Sequence, residues 1–272
     1  MKNIKIFVIF HKDIKLEYYK EEILPHIVFV NVNQNNNYLE NINDLKLSII
    51  NLHDFSNYVS LGRQYAESEV IYNLFRNKKY IKKLDYIGFL HHDMDVSMVS
   101  LNQILSLCDK YDVISFDSHI IKDDYNNMFL MDRRKPNVWQ GLGKNCYEQI
   151  LEDINNHQKK EVKIEEIKNK HITLCCAFLL KSSKFEILMG FISKIIESKK
   201  LETFDSDGRY RMQGGLLERY VGIWLTINIP EYYYLKVDHH FHETNLVNSK
   251  NNYILTLLKK SQLKLIKILK RI

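Results

Sequence analysis

Two carboxylates two residues apart, Asp93 and Asp95, follow the short apolar run Tyr86-Ile87-Gly88-Phe89-Leu90, with His91 and His92 at the junction. Side chains two apart in extended or turning backbone project to one side, and a pair of hard oxygen donors so placed can bracket a divalent cation. Such a cation would in turn grip a diphosphate. The apolar run holds two aromatics and a β-branched residue, which reads as a buried strand near the middle of a sheet. Charged groups at the end of such a strand are costly to bury unpaired, so they are expected to face a cleft at the sheet's carboxyl edge. The bland alternative is an Asx turn that merely closes the strand. A second pair, Asp205 and Asp207, has no strand ahead of it and runs into Gly208, so a solvated loop is its first reading.

Four further groups of residues have chemistry to offer. Glu218 and Arg219 interrupt the apolar stretch Gln213 to Leu225, where a carboxylate must either pair with a cation or perform chemistry. Glu218 is the first candidate for a general base and Asp207 the second; a structural pair of Glu218 with Arg219 is the competing reading. His239, His240 and His242 form a dense cluster whose spacing fits no zinc motif. One of them completing a metal site with Asp95 is weighed against exposed or helix-capping roles. Arg63, Tyr65 and Glu67 open a helix predicted over residues 62–77, and helix starts favour anions such as a nucleotide's phosphates. Solvated surface positions explain these three equally well. Trp139 with Tyr125 could floor a sugar ring or simply pack.

The elements that must position these groups follow a strand-helix alternation. Residues 4–10 read as the first strand, a helix is expected around Leu16 to Ile23, and residues 27–32 form a second strand, a parallel β-α-β beginning. The asparagine-rich stretch 33–57 reads as loop with one apolar island at Leu45 to Leu52. Further helices are expected over residues 100–110 and 185–198, and strands over 111–116, 172–180 and 232–235. Residues 146–170 look like an amphipathic helical insertion covering one face. At 272 residues and 45% hydrophobic content the chain can bury one large α/β core, read as a single domain over residues 1–250. The four cysteines lack metal-ligand spacing and suit a reduced, cytoplasmic protein. The first residues turn to charge too quickly for a signal peptide, and no run is long enough to span a membrane.

The strand ending in His-His-Asp-Met-Asp, the helix entering it, the later Leu217-Glu218-Arg219 helix and the terminal histidine cluster resemble bacterial glycosyltransferases of the GT-A type. More narrowly they resemble the small enzymes encoded in capsule and lipopolysaccharide loci, over roughly Lys5 to His242. The resemblance implies a Rossmann-like, mostly parallel sheet flanked by helices. It implies Mn²⁺ or Mg²⁺ held by Asp93 and Asp95, with His240 or His242 as a further ligand. It also implies a nucleotide-sugar donor, a UDP-sugar in the first instance, contacted by Asp93, Arg63, Tyr65 and His92. The sugar would pass to a hydroxyl of a surface polysaccharide or lipid-linked glycan. Residues 145–170 depart from a compact core of this type and leave the acceptor side undefined. A metal-dependent phospho- or nucleotidyltransferase would use the same acidic pair, but no Walker or dinucleotide glycine pattern is present. A non-catalytic glycan-binding module is the third reading.

Charge separates the last segment from the rest. With 39 basic and 33 acidic residues the net charge is +6, and the six basic residues among 251–272, where no acidic one occurs, account for all of it. A generally basic nucleic-acid surface is therefore not expected. At 100° per residue this segment forms an amphipathic helix, with Ile254, Leu257, Leu258, Leu265, Ile268, Leu269 and Ile272 opposite the lysines. It is expected to lie on the inner face of an anionic membrane, or else to pack on the domain or on a second subunit.

Overall fold

A computed structural model describes residues 2–11, 14–33, 47–121, 129–131, 139–141, 143–202, 212–229 and 231–240; for 63, 129–131, 139–141, 143 and 144 it describes the backbone only. Two compact units are present, Met1–Asp238 and His239–Ile272. Of the second, His239 and His240 are described. The expected amphipathic helix of residues 251–272 lies outside the described residues.

The first unit begins with β1 (Ile4–Phe10), β2 (Ile27–Asn31) and β3 (Ile49–Asn51), then α1 (Glu67–Arg76), β4 (Tyr86–His91), β5 (Met94–Asp95) and α2 (Leu101–Cys108). It continues through β6 (Val113–Ser115), β7 (His119–Ile120), β8 (Phe129–Met131), β9 (Trp139–Gly141), α3 (Gly143–Gln158), α4 (Ile164–Ile167) and β10 (His171–Ile172). It closes with β11 (Phe178–Lys181), α5 (Ser182–Glu197), α6 (Met212–Asn228) and β12 (Tyr232–Tyr234). Seven strands form one sheet in the order β12-β6-β11-β4-β1-β2-β3. β4 is therefore the central strand, as its unbroken burial requires. β1 pairs in parallel with both β4 and β2, and β2 with β3; β12 pairs in parallel with β6. β11 alone among the seven runs against its neighbours β4 and β6.

Both faces of the sheet are covered, and the two-residue period of β1 shows how. Ile4, Ile6, Val8 and Phe10 point to one core with α2 and the segment Tyr18 to Ile23, while Phe7 and Ile9 point to a larger one with α1, α3, α5 and α6. The charged stretch expected to be helical forms α3 and α4, which both pack on α6 and bury Tyr147, Ile150, Ile154 and Ile167, all at most 1% exposed.

Two expectations are corrected. No α-helix forms over residues 16–23; two 3-10 turns, Leu16–Tyr18 and Leu24–His26, make the crossover between β1 and β2 instead. Neither turn has a side-chain cap at its start, Pro25 sits in the first positions of the second turn where its missing N–H is tolerated, and Tyr18, Tyr19 and Ile23 are all buried against the sheet. The buried run 172–180 is not one strand. It breaks at Cys175 (φ 56°) and Cys176 (φ 49°), a turn in which the Ala177 amide donates to the Leu174 carbonyl at 3.4 Å. Two consecutive left-handed residues make a tight reversal that β-branched periodicity does not reveal.

Candidate functional site

β4 delivers its last residue to the carboxyl edge of the sheet, and the chain then turns through His92 and Asp93 into β5. A ring nitrogen of His91 and a carboxylate oxygen of Asp93 lie within 4.8 Å of one another, close enough to share one cation. His91 is 9% exposed. The two-residue period that the sequence suggested for Asp93 and Asp95 thus also brings His91 to Asp93. Asp95 accepts a hydrogen bond from the Ser97 amide at 2.8 Å, so part of its carboxylate closes an Asx turn. His92 has turned the other way and meets His11, at the end of β1, edge to face at a ring distance of 4.7 Å.

Sequence reasoning missed Tyr19, which is 5% exposed with a hydroxyl that is buried and has no hydrogen-bond partner among the described residues. Burial raises its pKa first, and the neighbouring carboxylates of Asp93 and Asp95 raise it further. A neutral phenol therefore faces the acidic pair.

Because β11 is antiparallel, its start lies at the same sheet edge as the end of β4. There the Cys175-Cys176 turn comes within electrostatic reach of Glu218. α6 holds Glu218 in place through two glycines spaced four residues to either side, so that Gly214, Glu218 and Gly222 share one face. A Cβ on Gly214 would stand 2.8 Å from the Tyr65 carbonyl oxygen, and one on Gly222 would stand 2.3 Å from that of Thr173. The helix therefore lies directly on the backbone of both flanking segments.

The Glu218 side chain is 20% exposed, recessed into the edge. Burial pushes its pKa up; Arg219 opposes this, Glu67 adds to it, His91 opposes it and Asp117 adds to it. Arg219, 4% exposed, donates to Glu218 at 3.2 Å and to the Gly215 carbonyl at 2.5 Å. The pairing that was the structural alternative is thus present, yet it does not overcome burial. Burial also raises the Cys175 and Cys176 thiols well above their ordinary range, so both are neutral packing groups within reach of the carboxylate. Ala66 carries a φ of 49° and ψ of −133° just ahead of Glu67, a conformation rarely adopted by residues other than glycine and often found at functional sites.

The other expected residues distribute as follows. Tyr65 is 6% exposed and belongs to the larger core. Arg63 lies in the 3-10 turn Arg63–Tyr65, and its side chain is outside the described residues. His240 belongs to the second unit. Asp205, Asp207, Tyr125 and His242 lie outside the described residues, as does the Trp139 side chain. Asp117, just past the end of β6, was not singled out; a lone aspartate in a long polar loop carries no signal until the fold brings it within electrostatic reach of Glu218.

A mixed sheet of seven mostly parallel strands, flanked by helices and carrying its polar groups at the carboxyl edge, defines a Rossmann-like α/β fold. A solved structure similar to this chain is that of WbbM, a bifunctional glycosyltransferase, in its apo form, with a TM-score of 0.57 and 12% identity over 87% of this chain and 45% of that one. The chain spans less than half the length of that protein, and at this identity the likeness shows the fold. No protein-family model matches the sequence, and no curated protein matches it.

Proposed function

We propose that this protein is a metal-dependent glycosyltransferase of the GT-A type, moving a sugar from a nucleotide-diphosphate sugar to a hydroxyl of a surface polysaccharide or lipid-linked glycan. The observation that supports this reading is the grouping, at the end of the central strand, of a cation-sized His91–Asp93 pair with a recessed Glu218 in electrostatic reach of His91. An imidazole beside a carboxylate suits Mn²⁺, and Mg²⁺ with Asp93 and Asp95 alone is the harder-ligand variant. Bound by His91, Asp93 and Asp95, the ion would neutralise charge on the departing diphosphate.

Glu218 is proposed as the general base. Its raised pKa places it nearer neutrality than an ordinary carboxylate, which improves it as a proton acceptor near working pH. In an inverting displacement it takes the proton of the acceptor hydroxyl as that oxygen bonds to the anomeric carbon, while the electron pair of the broken bond leaves with the diphosphate. Tyr19, kept neutral, can donate a hydrogen bond toward the acidic pair and fix its orientation.

The test is thermal stabilisation of the purified protein by a panel of nucleotide sugars with and without Mn²⁺, since a ligand at about 100 times its Kd adds about 2.7 kcal/mol to the folded state. A UDP-sugar is expected to stabilise in the presence of metal, and Asp93→Asn to abolish the effect with the fold intact. No stabilisation by any nucleotide sugar would overturn the reading, stabilisation equal with and without Mn²⁺ would remove the metal from it, and metal-dependent stabilisation undiminished in Asp93→Asn would remove Asp93 from the metal site.

A further inference from the structure

A base that serves a displacement must have the donor on one side and the acceptor hydroxyl on the other, so the position of Glu218 in the edge divides the sheet. On one side stand β4 and β1 with Asp93 and His91; on the other stand β6 and β12. At this second side the Leu235 amide donates to the Ser115 carbonyl at 2.8 Å, and Tyr234 lies opposite Ser115 in the pairing of β12 with β6. Two residues past Ser115, Asp117 pairs with His119 at 3.0 Å, and next to it Ser118 bonds His171 Nδ1 at 2.8 Å. The base of this group is fixed, because the Ser115 hydroxyl bonds that of Thr173 at 2.7 Å and Thr173 supports α6.

Tyr232 and Tyr234 share one face of β12. The Tyr232 ring lies 6.4 Å from that of His171, and its hydroxyl is buried with no hydrogen-bond partner among the described residues. Tyr234, by contrast, is 41% exposed, an aromatic ring held at the mouth of the edge.

We infer that this corner, with Tyr234 as stacking platform and Asp117, Ser118, His119 and His171 as hydrogen-bonding groups, seats the acceptor, an uncharged sugar ring. The inference rests on the glycosyltransferase reading and adds to it where the acceptor binds and what it is. Aromatic faces take the apolar C–H face of a pyranose, and interleaved carboxylate, hydroxyl and imidazole groups match the alternating donors and acceptors of its rim. The Asp117 carboxylate stands on this side and disfavours an acidic sugar. Burial is the main cause that raises the pKa of Tyr234 and of Glu218, and Asp117 adds to it in both, which places it within electrostatic reach of platform and base alike.

The experiment is saturation-transfer NMR on the full chain in the presence of UDP and diamagnetic Mg²⁺, using methyl β-galactopyranoside, methyl α-mannopyranoside, methyl α-glucopyranoside and methyl glucuronide. At least one neutral glycoside is expected to bind and the glucuronide not. Tyr234→Ala should weaken the neutral glycoside by roughly tenfold and Tyr234→Phe by less than about twofold, because the ring and not the hydroxyl does the stacking. Asp117→Asn should also weaken it, while stabilisation by UDP with Mn²⁺ stays as in the wild type in both Tyr234→Ala and Asp117→Asn. Absence of binding by every neutral glycoside, or equal binding by Tyr234→Ala, would overturn the platform. Glycoside binding that depends on Tyr234 in a protein that UDP and Mn²⁺ do not stabilise would instead leave the platform standing and sink the glycosyltransferase reading.

Discussion

Glu218 carries two opposed consequences of one burial. Its folded-state pKa is raised above the unfolded value of about 4.3, so the folded protein holds the proton more tightly than the unfolded chain does. Stability contributed by this group is therefore lost as pH rises from the unfolded value through the folded one. Glu218→Gln removes that loss: the variant is expected to melt higher than the wild type at neutral pH and equally near pH 4, as thermal denaturation across pH will show. The same substitution should lower turnover by roughly 10²-fold or more and abolish the acid limb of the pH–rate profile, which in the wild type should lie above the ordinary carboxylate range. A variant that melts well below the wild type at neutral pH would make the Arg219 pair structural. A second residue-scale prediction separates the two roles of Asp95. Asn at this position keeps the oxygen that accepts from Ser97, so Asp95→Asn should melt as the wild type while losing metal-dependent nucleotide binding, measured by titration calorimetry. Retained binding would leave Asp95 as a turn residue only. Asp93 and Glu218 were legible in the sequence because charge stood next to apolar runs; Tyr19 was not, because a tyrosine near a strand predicts a core ring whatever its hydroxyl faces.

At the scale of the element, α6 shows what the sequence carried without declaring. Gly214, Glu218 and Gly222 recur every four residues, a spacing that puts a carboxylate between two points of close backbone approach on one helix face. Composition marked this helix only as apolar, and its burial is nearly all-round, so no amphipathic stripe indicated which face looked toward the sheet edge. Gly222→Ala tests whether contact positions the base. The added Cβ meets a backbone oxygen that cannot rotate away, so the helix must shift. A destabilisation of about 1–3 kcal/mol in urea denaturation is expected, with turnover falling and nucleotide affinity held within a few-fold. Unchanged stability would mean that the helix accommodates the methyl group freely. The Cys175-Cys176 turn was illegible for a different reason: cysteine favours neither left-handed backbone nor turns, and only the pairing of β11 with both β4 and β6 imposes the reversal. The short 3-10 crossover between β1 and β2 escaped because three-residue turns leave no periodicity to detect.

For the whole molecule, the order of strands was out of reach of the sequence, although the centrality of β4 was not. A strand apolar on both faces needs neighbours and layers on both sides, and that much composition dictates; which strands supply them depends on long-range pairing such as β11 inserted between β4 and β6. Charge, in contrast, is legible at this scale. Since the six basic residues among 251–272 account for the whole net charge, the remainder offers an anionic lipid surface no net attraction, and none of the described helices is long and apolar enough to cross a membrane. We propose that this segment attaches the protein to an anionic membrane face, bringing the site to acceptors carried on lipid. Attraction of about 1 kcal/mol per lysine or arginine near such a surface falls away with salt, whereas burial of an apolar stripe against protein does not. The full chain should therefore float with vesicles of phosphatidylglycerol at low salt and less so at high salt. Lys264→Glu, Lys267→Glu and Lys270→Glu together keep the apolar stripe but reverse half of the charge, and should abolish flotation without changing the melting temperature. Flotation equal in the two proteins, or a lowered melting temperature in the variant, would place the segment on protein instead of lipid.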